Sequence, residues 1–116
     1  MSKIPTFFEE FRRSYPKVAQ SYEQLGDACR SEGPLDARTS ELVKLGIALG
    51  IGAEGSAHSH VRRALEAGAK PEELEHVALL AITTLGFARA MAGLAWIRDV
   101  TRDKSKGRRG ISRRRG

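Results

Sequence analysis

The chain has 116 residues, of which 41% are hydrophobic and 29% charged, with one cysteine and a formal net charge of +6. That length suits one domain with a real core but little room for a deep private pocket. The lone Cys29 excludes an intramolecular disulfide framework and a cysteine-based zinc site, and it fits a reducing compartment.

Helical signals run through the chain and strand signals are almost absent. The opening MSKIPTFFEEF has no basic segment followed by an apolar core, so no signal peptide is expected. A first helix is read from TFFEEFRRSY, with Phe7, Phe8, Phe11 and Tyr15 on one side and Thr6 as its cap. Pro16 opens a second helix, where Val18, Tyr22, Leu25 and Cys29 recur at helical spacing, so Cys29 reads as a small packing residue. Gly33 and Pro34 end it.

Asp36 is the expected cap of a third helix, whose Leu42, Leu45 and Leu49 are joined by Val43, Ile47 and Ile51. A fourth helix, AHSHVRRALEAGA, buries Val61, Ala64 and Leu65, exposes Arg62, Arg63 and Glu66, and closes at Gly68. Pro71 begins a fifth, with acids in its first turn and a stripe of Leu74, Val77, Ala78, Ala81 and Leu85. A sixth, ARAMAGLAWIRDVTRD, is rich in small residues. The apolar stretch from Val77 to Ile97 is broken by Arg89 and two threonines, which argues against a membrane span.

Residues 104–116 hold seven Lys and Arg and no acid, which leaves −1 for residues 1–103. The basic charge belongs to this tail, which lacks the apolar surface to fold. Its chemistry fits a solubilising extension or nonspecific attachment to nucleic acid or another polyanion. The expected organisation is a helical domain over 1–103 and a disordered basic tail over 104–116. Helices that are apolar all round must be covered on all sides, so an all-α, cytoplasmic homo-oligomer, a trimer or hexamer, is expected.

The densest polar cluster is AEGSAHSH, residues 53–60. In a helix, Ser56 and His60 share one face, Glu54 and His58 share another, and the two histidines point apart. Serine and glutamate at a helix start also serve as cap and dipole partner, which is the bland reading of Ser56 and Glu54. A metal held by Glu54 and His58, with His76 as a third ligand, ranks behind a solvated charge pair, since two ligands at one spacing are weak evidence. His76, among Glu72, Glu73 and Glu75, reads as surface. No glycine-rich phosphate loop or dinucleotide fingerprint is present, so no nucleotide cofactor is expected. Trp96 and the phenylalanines read as packing.

The run from Leu35 to Leu94, through LDARTSEL, HVRRALEAGA and GF-x-x-AM, resembles the carboxymuconolactone decarboxylase and alkylhydroperoxidase D superfamily. The peroxidase branch is marked by Glu-x11-Cys-x2-Cys-x3-His. Counted from Glu41, those positions fall on Ala53, Ser56 and His60, so the spacing survives without the cysteines. Gly55 stands where some peroxidase members carry a further histidine. Neither Ala53 nor Ser56 can attack a peroxide or resolve an oxidised thiol, and Cys29 lies outside the motif. The decarboxylase branch keeps the histidine that matches His60 but has charged residues at the positions of Ala53 and Ser56. Glu54 and His58 fit neither pattern, which suggests a third type on the same scaffold.

The resemblance implies an all-α oligomer, and it sets Glu41 beside the Ser56 and His60 face. A carboxylate orients an imidazole, sets its tautomer and raises its pKa. The expected site is therefore His60 as acid/base, Glu41 as its partner and Ser56 as a binding or relay hydroxyl, with Glu54 and His58 behind them. The implied activity is cofactor-free acid/base chemistry on a small organic acid or lactone. The alternative is a catalytically silent oligomer that binds a ligand or partner, with the tail recruiting a polyanion.

Overall fold

The computed structural model describes residues 7–103. Thr6 and the basic tail of residues 104–116 lie outside the described residues. The described chain is all-α, with six helices: α1 (Phe7–Ser14), α2 (Pro16–Ser31), α3 (Ala37–Ile51), α4 (Glu54–Glu66), α5 (Pro71–Leu85) and α6 (Phe87–Thr101). It divides into two compact units, one holding α1 and α2 and the other spanning Leu35–Asp103.

In the first unit, α1 lays an aromatic ladder against α2. Phe8 stacks at a tilt on Phe11 and on Tyr22, both at 6.1 Å between ring centroids, and Phe11 meets Tyr15 at 5.5 Å. Arg12 lies over the Phe8 ring and pairs with Glu23 at 2.7 Å, which ties the two helices at their rim. Pro16 occupies the first turn of α2, where its missing N–H costs nothing. Cys29 is exposed, as are Val18, Tyr22 and Leu25, so the expected packing role of Cys29 is not met. Helical spacing does create the stripe, but an apolar stripe is buried only where another surface covers it.

The second unit is a four-helix arrangement in which α3 packs on α4, α5 and α6, while α6 also packs on α4 and α5. Leu45 and Leu49 from α3, Val61 from α4, Leu74 from α5 and Ile97 from α6 are fully buried. Alanines fill the spaces between them, among them Ala48, Ala57, Ala64 and Ala78. Gly93 in α6 lets that helix approach Leu49, because a Cβ there would lie 2.7 Å from Leu49 Cδ2.

Local chemistry sets each helix end. The Asp36 carboxylate accepts from Thr39 N–H at 2.8 Å and starts α3. The Thr39 hydrogen bonds hold the Asp36 carboxyl below its ordinary pKa. Gly52, at φ 71°, ends α3 in a Schellman arrangement, with Gly52 N–H donating to Leu49 O and Ala53 N–H to Ala48 O. Gly68 ends α4 in the same way, donating to Leu65 O while Ala69 N–H donates to Ala64 O. Arg89 reaches from α6 and donates to Leu49 O and Gly50 O, at 3.1 Å each, satisfying further carbonyls at the end of α3. None of the described helices is long and apolar enough to cross a membrane.

Candidate functional site

The two-residue connection between α3 and α4 turns the chain back so that the helices pack directly. Glu41 lies in the second turn of α3 and His60 in the second turn of α4. His60 Nδ1 stands 2.9 Å from Glu41 Oε1, and the side chains are 13% and 5% exposed. Glu41 is the one charged residue buried among the described residues. A buried carboxylate is tolerated when it is hydrogen-bonded, and the imidazole supplies such a bond. An ionised carboxylate only accepts, so it sets the ring proton on Nδ1. The two residues lie 19 apart in sequence, joined by the turn at Gly52 and Ala53.

Ser56 sits one turn before His60 in α4 and is half-buried. Among the described residues its hydroxyl makes no hydrogen bond to His60 or Glu41. Nor does it cap the helix: Ala53 holds the N-cap position, with no side-chain cap, and Glu54 occupies the first turn. That leaves Ser56 a third-position residue flanking the pair.

His58 faces the opposite way, toward α6. Its Nε2 lies 3.0 Å from Asp99 Oδ2 and 3.9 Å from Glu54 Oε2. His76 takes no part in this cluster, and is exposed on α5. Asp99 is the residue that reading the sequence did not associate with the cluster. Forty-one positions separate it from His58, and no local spacing links them. Two histidines two residues apart thus serve two separate environments, one closed and one open.

A groove of about 540 Å³ runs between α3 and α5, lined by Leu42, Val43, Gly46, Val77, Leu80 and Leu85 among others, with Glu73 and His76 at its polar edge. Glu41, Ser56 and His60 do not line it. Glu73 is fixed there, accepting from Lys70 N–H at 2.9 Å and from Arg38 at 2.8 Å, and the Lys70 N–H foremost holds its carboxyl below the ordinary value. On the other side of α5, Arg98 grips Glu75 through two hydrogen bonds of 3.0 and 3.1 Å.

The chain is similar to known proteins. An uncharacterized protein of Haemophilus influenzae is 35% identical over 63 residues, which is 54% of this chain and 56% of that protein. The chain therefore spans about half the length of the curated relative it matches. The model of the carboxymuconolactone decarboxylase family matches residues 16–99, which takes in α2 to α5 and most of α6, with Glu41, Ser56 and His60 inside the match. The chain belongs to the carboxymuconolactone decarboxylase family.

Proposed function

We propose that the protein is a cytoplasmic homo-oligomer, a trimer or hexamer, that performs cofactor-free acid/base chemistry on a small organic acid or lactone, with His60 as the proton carrier. The observation that carries this reading is the buried Glu41–His60 pair, 2.9 Å apart. A shielded imidazole held by a carboxylate is poised to exchange a proton near neutral pH. In a decarboxylation, the carbon–carboxylate bond breaks, CO2 leaves, and the electron pair passes into the conjugated remainder of the substrate. Protonated His60 then delivers its proton to carbon, and solvent restores it. Glu41 orients the ring and offsets the imidazolium charge, and Ser56 offers a hydroxyl to a substrate oxygen. Thiol peroxidase chemistry does not fit, because Ala53 and Ser56 occupy the positions that would need cysteine.

The test is turnover of a panel of carboxylated lactones and β-keto acids by the full chain, with CO2 release and solvent-deuterium incorporation as readouts. Activity that His60→Gln abolishes, and Glu41→Gln lowers mainly in kcat, supports the proposal. No turnover, or turnover indifferent to His60→Gln, overturns it.

A second reading has its own observation. The groove between α3 and α5 is mostly apolar and does not involve the buried pair. It suits a catalytically silent protein that holds an apolar ligand or partner. Peroxide turnover through Cys29 is the poorest of the readings, since that thiol is exposed with no second cysteine to resolve it.

A further inference from the structure

Glu54, His58 and Asp99 each offer one ligand atom, and these atoms all lie within 4.8 Å of one another. Glu54 and His58 are one helical turn apart on α4, and Asp99 comes from the packed helix α6. Around a divalent first-row ion with bonds of about 2.0–2.2 Å, neighbouring donors sit roughly 3–3.5 Å apart. His58 Nε2 and Asp99 Oδ2 already stand at 3.0 Å, and Glu54 Oε2 is 3.9 Å from the same nitrogen. The Glu54 side chain is 58% exposed, which leaves it room to turn toward an ion.

Charge points the same way. Among the described residues, neither Glu54 nor Asp99 forms an ion pair with any lysine or arginine. Among the described residues, the group these two carboxylates share is the His58 imidazole. Glu23, Glu73 and Glu75, by contrast, are paired with Arg12, Arg38 and Arg98. A divalent cation would balance this cluster, with water filling its open positions on the solvent side.

We infer that Glu54, His58 and Asp99 form a binding site for a divalent first-row transition-metal ion, separate from the Glu41–His60 pair. One imidazole with two carboxylates favours zinc-like ions over magnesium, which takes all-oxygen sets and keeps its water. On binding, the neutral His58 ring gives its Nε2 lone pair to the ion and carries its proton on Nδ1.

The experiment is calorimetric titration of the chelator-treated full chain with Zn2+, followed by histidine NMR. The expected result is one Zn2+ per chain, with the His58 resonances shifted and those of His60 and His76 unmoved. Affinity should fall roughly ten-fold or more in Asp99→Asn and in His58→Ala, and stay unchanged in His76→Ala. Glu54→Gln, at an exposed first-turn position, gives a variant whose folding is not in question, and it should also weaken binding. Magnesium at equal concentration should not displace the zinc. Absence of saturable binding to the wild-type chain overturns the site, as does binding that survives Asp99→Asn and Glu54→Gln or that shifts His60 or His76 in place of His58.

Discussion

His60 Nδ1 lies 2.9 Å from Glu41 Oε1 across the α3–α4 interface, and the carboxylate is almost fully removed from solvent. A hydrogen bond at this depth couples the protonation of the two residues. In an NMR titration of the three histidines, Glu41→Gln is expected to lower the His60 titration midpoint, because it removes the anion that favours the imidazolium. His58, which faces Asp99, should not move. A His60 titration indifferent to Glu41→Gln would mean that no poised pair exists, and the acid/base reading would fall with it.

The same pair carries a stability prediction. His60→Ala takes the imidazole hydrogen bond from the buried Glu41 carboxylate; breaking a buried pair of this kind costs about 3–5 kcal/mol. The double variant Glu41→Gln/His60→Gln removes the charge and keeps groups able to bond each other, so it should cost clearly less than the losses of the single variants Glu41→Gln and His60→Gln added. Urea denaturation of the four proteins measures the coupling. Additive losses would show that the residues do not act as a unit.

Part of this site was legible through the family resemblance, which set Glu41 beside His60, while the helix period turned His58 away from His60. The helix boundaries were equally legible where local chemistry sets them, as at Asp36, Pro16, Pro71 and Gly68. What stayed hidden depends on tertiary packing. Asp99 meets His58 only because α6 crosses α4, and Arg89 reaches the end of α3 from 39 and 40 residues away. Cys29 shows the opposite failure: its spacing is apolar, yet spacing alone does not supply a covering surface.

Gly93 marks the tightest helix approach in the second unit. A methyl group there would stand 2.7 and 2.8 Å from the two Leu49 methyl carbons, and Leu49 is fully buried. Alanine would gain up to about 1 kcal/mol in helix propensity. The overpacking costs about 1–3 kcal/mol, so Gly93→Ala should lower the thermal midpoint on balance. Gly55→Ala is the matched control, since nothing lies within 4 Å of its added carbon. It should be neutral or mildly stabilising.

Acid should weaken the fold through identified carboxylates. Arg98 hydrogen bonds lower the Glu75 pKa, and hydrogen bonds from Thr39 and from Lys70 N–H lower those of Asp36 and Glu73. A carboxylate whose pKa is lower folded than unfolded contributes its full stability above the unfolded value, about 4, and loses it as pH falls through the folded one. Denaturation midpoints should therefore be flat in this respect from pH 7 to about 5 and fall below it. Arg98→Gln should flatten part of that fall. An unchanged acid limb in Arg98→Gln would show that Glu75 contributes nothing to it.

The α3 face supplies the last expectation, which tests the proposed assembly. Val43, Ile47 and Ile51 recur every four residues and are all exposed, and Leu79 and Leu80 on α5 are exposed as well. Such a contiguous apolar face is costly in water and stable when another surface covers it. If a second copy covers it, light scattering should give a mass that is a multiple of the single chain. Ile47→Glu or Leu80→Glu should then drive the protein to monomer, because each buries a charge at the contact without disturbing the core. Circular dichroism should stay helical, since both positions are exposed within the chain. A wild-type protein that is monomeric at tens of micromolar would remove the proposed assembly.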